Sequence, residues 1–230
     1  MIVLGIETAG DKGSVALVEP DALGGPRITQ VVIESSRQLG AELAPTIQRL
    51  LRAAGLGPTR TPDLVAVDTG PGSYTGLRIG LAAAKGLAFA WGRPLLGIPA
   101  LEALEAAAPP GPRVVCALDA SRGQVYAATF LRTKDGLARE QAPALFDPAI
   151  LRKAIAGPAT VVGDAADALA DPDAGIVPAE PRWPTAERIA LLAYARFAAG
   201  ERQDALRLCP IYFHLNEAEE KRRKRGMRVG

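Results

Sequence analysis

Met1-Ile2-Val3-Leu4-Gly5-Ile6-Glu7 opens the chain, and Arg113-Val114-Val115-Cys116-Ala117-Leu118-Asp119 repeats its pattern about 110 residues later. Each is an apolar run that ends on a carboxylate, as a buried strand with a polar C-terminal end does. Each is followed by a short turn containing glycine (Gly13, Gly123) and a second strand, Ser14–Val18 or Val125–Phe130. Third strands are expected over Arg27–Ser35 and 137–145. The order then continues in parallel. A helix at 38–54, a strand at 64–68 and a helix at 75–90 in the first half match a helix at 148–156, a strand at 160–164 and a short helix at 165–170 in the second.

Two halves of strand-strand-strand-helix-strand-helix make an internal duplication. Pro109-Pro110-Gly111-Pro112 is the natural boundary between them. The expected units are therefore 1–108 and 113–220, with a separate tail at 221–230. The first half ends with a short strand, Leu95–Ile98, and a helix at 100–108. The second ends with a long helix at 185–199, capped by Thr185 and closed by Gly200. This element order predicts an α/β protein of two ribonuclease-H-like subdomains, mixed sheets flanked by helices, as in actin, sugar kinases and the Hsp70 ATPase. Such a fold does not by itself assign an activity.

Between strand 64–68 and helix 75–90 lies Gly70-Pro71-Gly72-Ser73-Tyr74-Thr75-Gly76-Leu77-Arg78-Ile79-Gly80. A glycine-rich turn feeding a helix is a common phosphate cradle. The spacing here argues otherwise. No Lys follows Gly76 as in a P-loop, and glycines at 70, 72 and 76 miss the dinucleotide spacing by one residue. Pro71 also removes an N–H donor from the turn. The preferred reading is a sharp bend at Gly72 with Ser73 or Thr75 capping the helix.

The two helices of the first half differ in kind. In 38–54, Leu39, Leu43, Ile47, Leu50 and Ala54 share one face, and Pro45 either kinks the helix or marks its first turn. Helix 75–90 carries only Arg78 and Lys85 as charges, and Gly76, Gly80 and Ala84 form a small-residue seam. Gly80 and Gly86 each weaken an isolated helix by about 1 kcal/mol relative to Ala. A helix apolar nearly all round is buried on more than one side. Burial within its own domain accounts for part of this, and approach of a partner helix along the seam is the sharper expectation.

Composition narrows the chemistry. The 230 residues are 48% hydrophobic and 23% charged, as in ordinary globular proteins. The absence of a signal-like or membrane-spanning stretch leads to the expectation of a cytoplasmic protein. Cys116 and Cys209 both read as apolar-context thiols without metal spacing. His214 is the single histidine, so no His-based metal pair and no well-supported Ser-His system is expected. Residues 221–230 hold six basic residues and no acid, which leaves −4 on residues 1–220 of a chain with net charge +2. Such a tail is ordinarily solvated, with contact to RNA phosphates as the alternative.

Were the chain an active ATPase, Glu7 and Asp119 would be the carboxylates at the nucleotide, and the turns 9–13 and 121–123 would grip its phosphates. The competing reading makes both the polar ends of buried strands that hydrogen-bond the following turn. The second half is also too short for a good adenine pocket. No catalytic residue, metal ligand or cofactor is expected.

Three segments together resemble the bacterial TsaB (YeaZ) family: Val3-Leu4-Gly5-Ile6-Glu7-Thr8-Ala9, the Gly70–Gly80 block, and Leu118-Asp119-Ala120-Ser121-Arg122-Gly123-Gln124-Val125-Tyr126. Pro210-Ile211-Tyr212-Phe213-His214-Leu215-Asn216-Glu217-Ala218-Glu219 is similar to that family's closing segment. The resemblance implies a non-catalytic partner in making N6-threonylcarbamoyladenosine (t6A) at position 37 of ANN-decoding tRNAs. It implies a TsaD-like catalytic paralogue as partner, a TsaE-like ATPase in the complex, and a homodimer through the same surface. That surface is implied to use the first two helices, here through Leu43, Ile47, Leu50, Arg78, Ile79, Ala82, Ala83, Lys85, Gly86 and Phe89. The chain departs from the family at Glu7, where Asp is common, at Ser35-Ser36-Arg37-Gln38, where His and Ser are common, and in its basic tail. The basic tail is the expected place for any tRNA contact.

Overall fold

The computed structural model describes residues 1–19, 25–34, 38–134 and 136–212. The basic tail, His214, the closing segment from Phe213 onward and Ser35–Arg37 lie outside the described residues.

The repeated strand pattern builds two sheets of the same design. The first contains β1 (Val3–Glu7), β2 (Gly13–Glu19), β3 (Arg27–Ile33), β4 (Leu64–Asp68) and β5 (Leu95–Ile98), in the order β3-β2-β1-β4-β5. The second contains β6 (Arg113–Asp119), β7 (Val125–Thr133), β8 (Gly136–Phe146), β9 (Ala159–Val162) and β10 (Ile176–Pro178), in the order β10-β9-β6-β7-β8. In each, three sequential strands pair antiparallel and the next strand joins the first in parallel. The protein is thus a pair of ribonuclease-H-like subdomains with mixed sheets. β10, the counterpart of β5, was not among the expected elements. It is three residues long, and a 3-10 turn at Pro172–Ala174 precedes it.

Helices α1 (Leu39–Ala53) and α2 (Tyr74–Trp91) cover one face of the first sheet. There Leu4, Ile6, Val15, Leu17 and Val67 pack with Leu43, Ile47, Leu50 and Leu81. Pro45 lies inside α1, not at its first turn. On the opposite face, α3 (Ala100–Ala107) and α6 (Ala186–Ala198) bring Ala103, Ile189, Ala190 and Ala193 onto Val3, Leu64, Ala66 and Leu96. The second sheet is sandwiched between α3 on one side and α4 (Pro148–Ala154) with α5 (Ala166–Leu169) on the other.

Although α6 follows the second sheet in the chain, it packs on the first. Gly5 makes this contact possible, because a Cβ there would overlap the carbonyl oxygen of Ala186. Ser14 Oγ accepts from the Ala186 N–H at 2.9 Å and fixes the start of the helix. Thr185 caps α6 as expected, accepting from the Arg188 N–H at 3.3 Å.

The chain after α6 also returns to the first sheet. The Gln203 amide accepts from the Gly97 N–H (2.8 Å) and donates to the Gly97 carbonyl (3.3 Å), mimicking a strand on the free edge of β5. Leu208 packs on the core beneath α2, and the Ile211 N–H reaches the Thr69 carbonyl at 2.8 Å.

Candidate functional site

Two surfaces are built by the segments singled out above: the cleft between the sheets, and the outer face of α1 and α2.

The cleft, about 390 Å³, lies between the turn after β1 (Ala9–Asp11), the entry to α2 (Pro71–Tyr74) and the turn after β6 (Asp119–Ser121), with Asp164 and Trp183 closing it. Among the described residues its lining includes Asp11, Asp119 and Asp164 and no Lys or Arg, an electrostatic setting that repels phosphate groups. Asp119 sits at its rim. Its Oδ1 accepts from the Ser121 N–H at 3.0 Å, and its own N–H donates to Asp164 Oδ1 at 2.8 Å. Ser121 and Arg122 adopt φ of 63° and 56°, so the carboxylate fastens a left-handed turn. Burial pushes the Asp164 carboxyl up, with the charges of Asp119 and Asp11 adding to it.

Glu7 is buried behind the cleft wall at the end of β1. Its Oε1 accepts from the N–H groups of Ala9 (2.6 Å) and Gly10 (3.1 Å). Asp68 ends the neighbouring strand β4, and its Oδ1 accepts from the Gly70 N–H at 2.7 Å. Burial raises Glu7 well above the ordinary carboxylate range, and the charge of Asp68 raises it further. Asp68 is pushed up to about 7 by burial. Both candidate carboxylates, Glu7 and Asp119, therefore hold the turns that follow their strands. Sequence reasoning missed Asp68. Its place at the end of the strand parallel to β1 was the available signal. Among the described residues no group of three or more His, Cys, Asp or Glu side chains is placed to hold a metal ion. Cys116 is buried, whereas Cys209, expected in an apolar setting, is exposed.

The Gly70–Gly80 block turns the chain into α2. Ser73 is the cap, its Oγ accepting from the Gly76 N–H at 3.2 Å. The small-residue seam has a different neighbour from the one expected. A Cβ on Gly76 would overlap the Thr8 carbonyl oxygen, and one on Gly80 would overlap Thr8 Oγ1. The seam admits the turn after β1, not a second helix. Thr8 Oγ1 donates to the Gly76 carbonyl at 2.8 Å, and the Ser73 N–H donates to the Ala9 carbonyl at 2.8 Å.

The expected partner residues divide into three sets. Leu43, Ile47 and Leu50 are buried against the sheet, so the stripe they form serves the protein's own core. Arg78 and Lys85 hold the C-terminal segment. The Arg78 guanidinium lies 4.0 Å over the Tyr74 ring and donates to the Tyr212 hydroxyl at 3.2 Å, and Lys85 Nζ donates to the Leu206 carbonyl at 3.2 Å. The outward surface is left to Ala82, Gly86 and Phe89, with Ile79 and Ala83 half-buried beside them. Phe89 is 89% exposed. Next to this surface runs an apolar groove between the helices, about 740 Å³, lined by Ile47, Leu51, Ala83, Gly86, Leu87 and Trp91 among others. Leu51, Leu87 and Trp91 were not among the expected residues. The recurrence of small side chains at Ala83, Gly86 and Ala90, at three- and four-residue steps, was the signal for a groove.

Comparison with known proteins places this geometry in context. The model of the family described as "TsaD: tRNA N6-adenosine threonylcarbamoyltransferase" matches residues 32–158. The chain is 29% identical to the tRNA threonylcarbamoyladenosine biosynthesis protein TsaB of Escherichia coli (strain K12), across 96% of this chain and 98% of that protein. It is 38% identical to a tRNA N6-adenosine threonylcarbamoyltransferase of Anaeromyxobacter dehalogenans over 44% of this chain, but spans only 33% of that enzyme. The solved structure of YeaZ from Pseudomonas aeruginosa superposes with a TM-score of 0.74 at 26% identity, covering 92% of this chain and 99% of that one.

Proposed function

This chain belongs to the TsaD-like family, in its TsaB (YeaZ) branch, and from that membership we propose that it is the accessory subunit of a t6A-forming complex. It binds and activates a TsaD-like catalytic paralogue that transfers the threonylcarbamoyl group to adenosine 37 of ANN-decoding tRNAs in the cytoplasm. It does not itself carry out the transfer. A TsaE-like ATPase joins the complex, and the same helices form a homodimer when the paralogue is absent. The basic tail 221–230 supplies a tRNA contact.

The observation that supports this reading best is the outer face of α1 and α2. An apolar groove of about 740 Å³ beside a phenylalanine that is 89% exposed is a surface that a partner helix fits. The cleft supports it from the other side. Asp119 and Asp164 in its lining accept from backbone N–H groups, and that lining is acidic.

The test is reconstitution of the modification from purified components with and without this chain. Transfer is expected only when it is present, and Ala83→Asp is expected to lower co-purification with the paralogue at least tenfold while leaving the far-UV circular dichroism unchanged. Unimpaired co-purification moves the interface elsewhere. ATP turnover by the isolated chain that Asp119→Ala abolishes would replace the accessory role with a phosphotransferase or ATPase.

A further inference from the structure

Glu7 and Asp68 end adjacent parallel strands, one step beyond the Ile6–Val67 pair, on strands that lie about 4.8 Å apart. They are 1% and 2% exposed. Each spends one oxygen on backbone N–H groups: Glu7 Oε1 on Ala9 and Gly10, Asp68 Oδ1 on Gly70. Asp68 Oδ2 is buried with no hydrogen-bond partner among the described residues. Two carboxylates buried side by side without a cation are strongly disfavoured as a doubly charged pair.

Among the described residues the surroundings offer no compensating charge. Opposite Glu7, β2 presents Ser14; opposite Asp68, β5 presents Ile98. Helix α6 lies over this face with Ala186 and Ala190 at Gly5, and its first-turn charges are Glu187 and Arg188. On α3, Glu105 is held by Arg132, and Glu102 by Arg139 and Arg196. On α2, Arg78 is turned to Tyr212. In the loop after β1, Lys12 pairs with Glu34, and Asp11 adds a further negative charge. The charge that acts on Glu7 is that of Asp68, and it has the same sign.

The same two residues anchor the turns that seat α2. Glu7 holds Ala9, whose carbonyl takes the Ser73 N–H. Between them Thr8 bonds to the Gly76 carbonyl. Asp68 holds Gly70, whose carbonyl in turn takes the Ala100 N–H at the start of α3. We propose that Glu7 and Asp68 retain one proton between them at neutral pH, and that this proton clamps the turns after β1 and β4 against the first turn of α2, so that its loss at alkaline pH loosens the seat of that helix. The oxygen that needs the hydrogen is Asp68 Oδ2.

The sign follows from linkage. Carboxyls raised in the folded state bind more protons folded than unfolded, so stability is greatest in acid and declines as pH rises through neutrality, until the proton has left the folded protein. Thermal unfolding of the full-length protein, wild type against the double variant Glu7→Gln/Asp68→Asn, measures this. The wild type should lose roughly 3–5 °C of Tm per pH unit relative to the variant across the neutral range. At pH 8.5 the variant should be the more stable of the two. Equal slopes overturn the proposal. So does a rise in wild-type Tm with millimolar Mg²⁺ that EDTA reverses and the variant lacks, because a cation would then hold the pair. The wild type alone gives a second readout that does not depend on the variant folding. With ¹³C-labelled Asp and Glu, its infrared spectrum at pH 7 should contain an un-ionised carboxylic acid band that fades at alkaline pH, while the protection of the Gly76 amide, its exchange rate relative to the base-catalysed rate of an unprotected amide, falls over the same range. A spectrum without that band at pH 7 overturns the shared proton, and unchanged protection at Gly76 overturns the clamp.

Discussion

Two glycines of α2 that look alike in the sequence have opposite physical roles. Gly76 lies where the turn after β1 crosses the helix, and a methyl group there would strike the Thr8 carbonyl. That obstacle is backbone and cannot rotate away. Gly86 has no atom within 4 Å of where a Cβ would sit, so it only loosens the helix. Gly76→Ala should therefore destabilise the protein by about 1–3 kcal/mol through overpacking. Gly86→Ala should stabilise it by about 0.5–1 kcal/mol through helix propensity. Urea denaturation of both variants checks the pair, and equal effects would mean that the Thr8 contact is not a constraint. The four-residue spacing of Gly76, Gly80 and Ala84 was legible in the sequence as a close-packing seam. What approaches it was not, because Thr8 lies 68 residues away and carries no periodic signal of its own.

Among the elements, legibility followed length and local chemistry. The long strands and amphipathic helices appear close to their expected limits because hydrophobic periodicity and glycine or proline stops define them. β10, with three residues, is too short to show a period. The segment 203–212 has no regular structure at all, yet it ties α6 to the edge of the first sheet. Its anchor is Gln203, whose amide supplies the acceptor and donor that a sixth strand would otherwise bring to Gly97. An exposed sheet edge is a template for wrong pairing, and covering it is a recognised protection. Gln203→Ala removes both bonds, and a cost of about 1–2 kcal/mol is expected. Gln203→Glu keeps the acceptor but loses the donor to the Gly97 carbonyl, so it should fall between alanine and wild type. Hydrogen exchange at the Gly97 amide separates this local effect from global unfolding. It should rise in Gln203→Ala, and unchanged exchange would show that the edge is protected by something else.

At the scale of the whole molecule, the duplication was readable because each half repeats the same strand order, but the way the halves are joined was not. Chain order alone would group α6 with the second sheet, whereas Gly5 and the alanines of α6 seat it on the first. The other junction is electrostatic. Arg132 on β7 donates to Glu105 Oε1 at 2.7 Å and to the carbonyls of Glu105 (2.6 Å) and Pro109 (2.7 Å), pinning the end of α3 and the proline-rich connector to the second sheet. The Glu105 side chain is 8% exposed. Removing the arginine alone strands a buried carboxylate, which in comparable settings costs about 3–5 kcal/mol. Removing both charges relieves that penalty and leaves only the lost carbonyl bonds. Arg132→Met is therefore expected to be much less stable in urea than Arg132→Met/Glu105→Gln, a non-additivity that a double-mutant cycle reads directly. If the two variants unfold at the same urea concentration, Glu105 is not held by Arg132. The connector would then be fixed by its carbonyl bonds and prolines alone, leaving the junction of the lobes indifferent to charge.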